Sequence, residues 1–138
     1  MRYFDASALV KRYVREAGSA TVRRLLVSDT PATSRLSEVE VASALERRTR
    51  EAAFSPAERD RALAALDRDL PAIVLVELTP AISTTARTLL RRHPLRAGEA
   101  VQLASCLYLQ DQMGESVAFV AFDERLVTAA RQEGLTVS

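Results

Sequence analysis

Short β-prone runs alternate along the chain with longer segments in which apolar residues recur at helical spacing. The short runs predict strands at residues 2–4, 32–34, 73–78 and 117–121, with a possible fifth strand at 135–137. The three- and four-residue apolar spacing predicts helices at 7–16, 19–28, 37–50, 56–70, 79–92 and 97–112, and a last helix after residue 123. The run at 73–78 is apolar and β-branched, as in a strand covered on both faces.

This order of elements predicts an α/β fold. Strands that alternate with helices form a mostly parallel sheet with right-handed crossovers and helices on both faces. We therefore expect a three-layer α/β/α sandwich with a central sheet of four to five strands. Two helices follow one another between the second and third strands, and the capping boxes Ser37-x-x-Glu40 and Ser55-x-x-Glu58 predict where they start. A length of 138 residues with 48% hydrophobic content predicts a single domain, residues 1–138.

Composition narrows the function classes. No apolar run approaches the roughly 20 residues of a membrane span, and Asp5 interrupts the stretch where a signal peptide would be apolar. The single Cys106 cannot form an internal disulfide framework. We expect a cytoplasmic protein without a membrane partner. A net charge of +1 argues against a protein that only coats nucleic acid, but it is compatible with a nuclease.

Four carboxylates lie at junctions between predicted elements: Asp5, Glu40, Glu99 and Asp123. The carboxyl ends of parallel strands share one edge of a sheet, so Asp5, Glu40 and Asp123 are expected to lie there together. Glu99 has no preceding strand, so this argument does not place it at the edge. Each acid also has a purely structural interpretation, because Asp5 and Asp123 are suited to capping the helices that follow them. Glu40 completes a capping box, and Glu99 favours the positive end of its helix.

Four acids that meet at one point repel each other unless a cation neutralises them. Oxygen-only ligands suit hard cations such as Mg²⁺ or Mn²⁺. One Cys and one His cannot build a zinc site. If the acids meet, the chemistry that they indicate is metal-assisted hydrolysis of a phosphodiester.

Four stretches of the chain resemble, in order and spacing, the motifs of PIN domains and in particular of the VapC-type toxins of bacterial toxin–antitoxin pairs. The first, Tyr-Phe-Asp-Ala-Ser-Ala-Leu-Val-Lys, contains Asp5. The other three are residues 33–41, 95–104 and 119–126, and they contain Glu40, Glu99 and Asp123. The resemblance extends over nearly the whole chain, since the first motif lies near its start and the fourth near its end.

The resemblance implies a metal-dependent ribonuclease. Asp5, Glu40, Glu99 and Asp123 would hold Mg²⁺ or Mn²⁺, and a water activated by the metal would attack an RNA phosphodiester. The family also implies a homodimer and a small cognate antitoxin that inserts into the acidic groove. The third acid of the family is usually Asp, so the longer Glu99 puts the strength of metal binding in doubt. Gln102 stands where similar sequences often have His, and no role is assigned to it.

Four further residues are candidates for contact with the substrate. Ser7 is placed to hydrogen-bond a metal ligand or a phosphate, although a small residue also packs well at a helix start. Lys11, Arg12 and Arg96 are candidates for contacts with RNA phosphates, which would make binding salt-dependent.

Other basic residues receive a structural interpretation. Arg47, Arg48 and Arg50 end a predicted helix, where positive charge favours the helix dipole. His93 precedes Pro94 at another helix end and is predicted to lie at the surface.

Two other function classes compete with the ribonuclease. One is a PIN-like domain that has lost catalysis and acts as a protein- or RNA-binding module. The feature that favours it is Glu99, which stands where the family usually has Asp. The other is a phosphate-transfer enzyme of the haloacid dehalogenase type. That motif needs a second Asp two residues after the first, where this chain has Ser7.

Overall fold

A computed structural model describes residues 1–138. The strands are β1 (Arg2–Phe4), β2 (Pro31–Ser34), β3 (Val74–Val76) and β4 (Ala118–Val120). The helices are α1 (Ala6–Val10), α2 (Ser19–Ser28), α3 (Arg35–Arg50), α4 (Pro56–Asp69), α5 (Pro80–Arg92), α6 (Ala97–Met113) and α7 (Glu124–Gln132). None of the helices combines the length and the apolarity that crossing a lipid bilayer requires.

The four strands form one parallel sheet in the order β3-β2-β1-β4. Tyr3 pairs with Ala32 on one side and with Phe119 on the other, so β1 lies inside the sheet. All carboxyl ends therefore meet at one edge, and the predicted α/β fold is confirmed. The possible fifth strand is reduced to a single bridge between Phe119 and Val137.

Helices cover both faces of the sheet because successive strand residues point in opposite directions. Tyr3 and Phe119 stack with ring centroids 5.8 Å apart in the core shared with α5, α6 and α7. Phe4 and Val120 point the other way, into the core shared with α1 to α4. Each of these four side chains is at most 1% exposed, and burial of such a side chain contributes about 1.5–3 kcal/mol.

The start of α3 differs from the prediction, and the capping box at Ser37 and Glu40 is wrong. The N-cap is Ser34, the last residue of β2, whose hydroxyl accepts a hydrogen bond from Leu36 N at 3.0 Å. Ser37 is fully buried and hydrogen-bonds Thr33 Oγ1 at 2.7 Å. The Glu40 carboxylate is therefore free of a capping role. The second box, at Ser55 and Glu58, is confirmed.

Three other local predictions are wrong. The first helix ends at Val10 and continues as turns, well short of residue 16. The strand β3 lies at the sheet edge, where Val74 is 37% exposed, so it is not covered on both faces. His93 is 9% exposed and pairs through Nε2 with Glu133 Oε2 at 2.6 Å, which joins the end of α5 to the end of α7. Its position at a helix end concealed this partner, which lies 40 residues further along the chain.

Candidate active site at the carboxyl edge of the sheet

A cavity of about 880 Å³ opens at the carboxyl edge of β1 and β4. Its wall contains the four carboxylates singled out in the sequence, Asp5, Glu40, Glu99 and Asp123. They come from four different elements: the ends of β1 and β4, the second turn of α3 and the first turn of α6. The parallel sheet thus brings together acids that are up to 118 residues apart in the chain.

Asp5 is the most deeply buried of the four, at 4% exposed. Its backbone N–H donates to Val120 O at 3.1 Å, which fixes the end of β1 against β4. Oδ1 accepts from Ala8 N at 2.8 Å as the N-cap of α1, and the Ser7 hydroxyl donates to Oδ2 at 2.9 Å. Burial raises the pKa of the Asp5 carboxyl from 3.8 to about 6; these two hydrogen bonds oppose that rise, and repulsion from Glu40 and Glu99 adds to it.

Glu40 is held by a buried amide. Gln102 Nε2 donates to Glu40 Oε1 at 3.2 Å and to Ser37 Oγ at 2.9 Å. Gln102 Oε1 accepts from the Tyr3 hydroxyl at 2.6 Å, so one side chain joins β1, α3 and α6. Burial raises the pKa of Glu40, the bond from Gln102 opposes the rise, and the charge of Glu99 adds to it.

Glu99 and Asp123 lie on either side of Arg125. Arg125 Nη2 is 3.5 Å from Glu99 Oε1, and Arg125 Nε is 3.8 Å from Asp123 Oδ1. Both acids also cap helices, since Glu99 Oε1 accepts from Arg96 N at 2.8 Å and Asp123 Oδ1 accepts from Leu126 N at 3.1 Å. Asp5, Glu99 and Asp123 therefore cap helices and also line the cavity, so the structural and the functional interpretation are compatible for these three acids.

Basic residues form another part of the cavity wall: Lys11, Arg47, Arg48 and Arg96. Glu16 joins two of them, because its carboxylate accepts from Lys11 Nζ at 3.2 Å and from Arg48 Nη2. Arg12 lies elsewhere, 3.5 Å from Asp69 and over the ring of Tyr13.

The interpretation of Arg47 and Arg48 as residues that only favour the helix dipole is therefore incomplete, since both line the cavity with the acids.

The donor chemistry of the cavity suits a hard divalent cation, because the converging side chains are carboxylates and neither His93 nor Cys106 reaches the wall. In the present side-chain arrangement, however, no three acids lie close enough to hold one ion. Asp5, Glu99 and Asp123 are each turned toward a helix N–H, and Arg125 neutralises part of the charge of two of them. A three-carboxylate site therefore requires side-chain rotation.

Sequence reasoning missed three residues of this cavity and one residue that contacts its acids. Gln102 was left without a role, Glu16 and Phe122 in the wall were not singled out, and neither was Arg125, which lies beside Glu99 and Asp123. A signal existed for Phe122 and Arg125, since they flank Asp123 within the fourth motif. Glu16 gave no signal, because it lies in the turns that follow α1 and only the folding of these turns brings it to its two cationic partners.

The PIN domain family matches residues 2–132 of the chain. The chain is 36% identical over 141 aligned residues to ribonuclease VapC45 of Mycobacterium tuberculosis, covering 99% of this chain and 93% of that protein. The crystal structure of M. tuberculosis VapC20, described as a sarcin–ricin loop cleaving toxin, superposes with a TM-score of 0.69 at 21% identity. That superposition covers 94% of this chain and 95% of the other.

A toxin–antitoxin complex from Klebsiella pneumoniae contains a chain with the same fold, with a TM-score of 0.59 and 13% identity. It covers 86% of this chain and 84% of the other. At such low identities, the two structural likenesses establish the fold.

Proposed function

The chain belongs to the PIN-domain family, alongside the VapC ribonucleases, and from this premise we propose that it is a metal-dependent endoribonuclease that hydrolyses RNA phosphodiester bonds. The observation that carries the proposal is the single cavity in which four carboxylates face a basic wall. Carboxylates suit the metal and arginines suit the phosphates of the substrate.

Asp5, Glu40, Glu99 and Asp123 are the residues that would hold Mg²⁺ or Mn²⁺. When bound, the ion polarises a phosphoryl oxygen and lowers the pKa of a coordinated water. The raised pKa values of Asp5 and Glu40 support this assignment, because they reflect buried negative charge without a nearby compensating cation.

The remaining residues of the cavity orient the acids and bind the substrate. Gln102 fixes the carboxylate of Glu40 through an amide that does not titrate. The Ser7 hydroxyl, bonded to Asp5, limits the orientations of that carboxylate. Arg96 and Arg47 line the same cavity as the acids and are placed to bind RNA phosphates.

The first test is cleavage of single-stranded RNA by the purified protein. We expect cleavage with Mg²⁺ or Mn²⁺ and none in EDTA. Asp5→Asn is expected to abolish cleavage while the fold is retained, because Asn preserves the N-cap of α1 but not the charge. Asp111→Asn, at an exposed position of α6 outside the cavity, is the matched control and should cleave as the unaltered protein does. Unchanged cleavage by Asp5→Asn would remove Asp5 from the assignment.

A second test measures the metal without relying on activity. An ion that binds only the folded state stabilises it, so Mn²⁺ should raise the melting temperature of the unaltered protein. The rise should be much smaller in Asp5→Asn and unchanged in Asp111→Asn. Equal shifts in all three proteins would place the ion outside this cavity.

We also propose that the protein is the toxin of a toxin–antitoxin pair, with a small antitoxin as its partner, and that it forms a homodimer. The 36% identity to a VapC ribonuclease supports the toxin role. Expression in a bacterial host should arrest growth, and co-expression of the adjacent small open reading frame should restore it. Normal growth on expression would leave a nuclease without the toxin role, and light scattering of the purified protein tests the dimer.

One observation favours the alternative of a binding module that has lost catalysis. The Arg125 guanidinium pairs with the carboxylates of Glu99 and Asp123, which are two of the four acids that the ribonuclease needs. If Arg125 blocks metal binding, Arg125→Gln should gain Mn²⁺-dependent stability and cleavage that the unaltered protein lacks. Cleavage by the unaltered protein excludes this alternative.

A further inference from the structure

Phe122 is an exposed aromatic residue inside a cavity that is otherwise mostly polar. It is 43% exposed, lines the cavity, and directly precedes Asp123. Large apolar side chains at the surface usually need no explanation when they are scattered singly. This one differs because its neighbours hold the ring in place beside the acids.

Two contacts fix the ring. Lys11 Nζ lies 4.8 Å from the ring centroid, and this ammonium is itself held by Glu16 Oε1 at 3.2 Å and by Ala17 O at 2.8 Å. The ring edge lies where a side chain of residue 18 would be, because a Cβ added to Gly18, directly before α2, would lie 2.9 Å from Phe122 Cε1. Gly18 also has φ of 91°, a conformation that other residues rarely adopt. The chain thus leaves space for the ring at a position where any other residue would displace it.

We propose that Phe122 is a stacking platform for an unpaired base of single-stranded RNA, next to the bond that is cleaved. The proposal rests on the ribonuclease function and deepens it, because it names the form of the substrate at this site. Proteins recognise unpaired bases by stacking them on aromatic side chains. A nucleotide joins a flat base to an anionic phosphate, and this part of the wall joins a flat ring to an ammonium group.

Lys11 has the capacity to contact the adjacent phosphate. An ammonium group has three N–H donors, and Glu16 and Ala17 accept from two of them. The third donor is left for a phosphate oxygen. The base and its phosphate would therefore bind to two groups that already touch each other.

A protein partner fits the same residue less well. Apolar anchors of protein interfaces are fully desolvated within a surrounding patch of packed contacts. Around Phe122 the wall carries charges instead, among them Lys11, Glu16, Arg48 and Asp123. Burial of the ring against a protein would also have to desolvate these groups.

The test uses a single-stranded RNA that the protein cleaves at one mapped bond, and a set of the same RNAs with one abasic nucleotide near that bond. Base–aromatic stacking is lost when the ring is removed, so Phe122→Leu should raise KM about 5- to 100-fold with little change in kcat. Phe122→Tyr keeps the ring face and should retain the original KM. Tyr108→Leu, an exposed aromatic on α6 outside the cavity, is the matched control and should change nothing.

The abasic series identifies the contact. One abasic position should weaken cleavage by the unaltered protein as much as Phe122→Leu does. The same abasic RNA should not weaken cleavage by the Phe122→Leu variant any further. Unchanged KM in Phe122→Leu, or an undiminished abasic penalty in that variant, overturns the proposal. A loss confined to antitoxin binding would also overturn it and assign Phe122 to a protein interface.

Binding of the same RNAs in EDTA, measured by fluorescence anisotropy, separates this proposal from the ribonuclease function. If RNA binding depends on Phe122 but the unaltered protein does not cleave RNA, the ribonuclease proposal is contradicted and the stacking proposal stands. If the protein cleaves RNA but neither KM nor binding depends on Phe122, the stacking proposal is contradicted and the ribonuclease proposal stands.

Discussion

At the scale of single residues, Asp5 combines a stabilising contact with a destabilising position. Its carboxylate caps α1 by accepting from Ala8 N, and loss of an N-cap typically costs about 1 kcal/mol. The same carboxylate is 4% exposed and close enough to Glu40 and Glu99 to feel their charge. Burial of a charge without a partner opposes folding. The site therefore reduces stability in the absence of a cation, as functional sites often do.

Asp5→Asn should make the metal-free protein more stable at about pH 7.5, because Asn keeps the cap and removes the buried charge. A carboxyl whose pKa rises from 3.8 to about 6 destabilises the folded state by up to about 3 kcal/mol once it is fully ionised. Urea denaturation in EDTA measures the difference, with Asp111→Asn as the control.

The difference in stability between Asp5→Asn and the unaltered protein should depend on pH. Between pH 3.8 and about 6 the unfolded state releases the proton first, so the stability of the unaltered protein falls as pH rises through this range. The advantage of Asp5→Asn should therefore become small near pH 4, close to the pKa of 3.8 in the unfolded state, and vanish at lower pH, where both states of the unaltered protein hold the proton. An advantage that is equal at both pH values would show that charge is not its cause.

Gln102 shows what a sequence cannot reveal about a single residue. Its amide bonds Tyr3, Ser37 and Glu40, which are 99, 65 and 62 residues away. Nothing in the local pattern distinguishes such a glutamine from a solvated one on a helix. The four acids were easier to find, because each stands at a junction where the chain changes from one element to the next.

At the scale of elements, the sequence predicted most helices and strands because their signals are local. The start of α4 has a capping box with proline at the first helical position, and the structure contains both. The start of α3 was wrong because two serines compete for it. Ser34 wins since it ends β2 directly before the helix, while Ser37 turns into the core. The exposure of β3 was missed because strand order depends on contacts across the whole fold.

Capping and chemistry can be separated at α7, where Asp123 is the N-cap. Asp123→Ala loses both the cap and the charge, so we expect the free energy of unfolding to fall by about 1 kcal/mol. Asp123→Asn keeps the acceptor for Leu126 N and should remain near the original stability. Both variants should cleave RNA about 100-fold more slowly or worse, because both lose the carboxylate at the proposed metal site.

The comparison of the two variants decides between the interpretations of Asp123. Denaturant unfolding gives the stability difference, and initial cleavage rates give the functional one. Full activity in Asp123→Asn would make this residue a helix cap and nothing more.

At the scale of the whole molecule, a net charge of +1 conceals a concentration of charges of both signs in one cavity. Asp5, Glu40, Glu99 and Asp123 lie in the same cavity as Lys11, Arg47, Arg48 and Arg96. The alternation of strands and helices was enough to predict that strand ends meet at one edge. It was not enough to place α3 and the turns after α1 beside that edge, and so the basic wall was only partly predicted.

Salt dependence should reveal how many of these cations contact RNA. Binding to single strands weakens with salt at a log–log slope of about −0.7 for each neutralised phosphate, so four contacts give at most about −3. Arg47→Gln and Arg96→Gln should each make the slope shallower by about 0.7, because both residues line the cavity. Arg87→Gln, on α5 outside the cavity, should leave it unchanged. Titration of labelled RNA in EDTA at several KCl concentrations measures each slope. An equal effect of Arg87→Gln would mean that the RNA also contacts α5, and no effect of Arg47→Gln and Arg96→Gln would remove the basic wall from the RNA path.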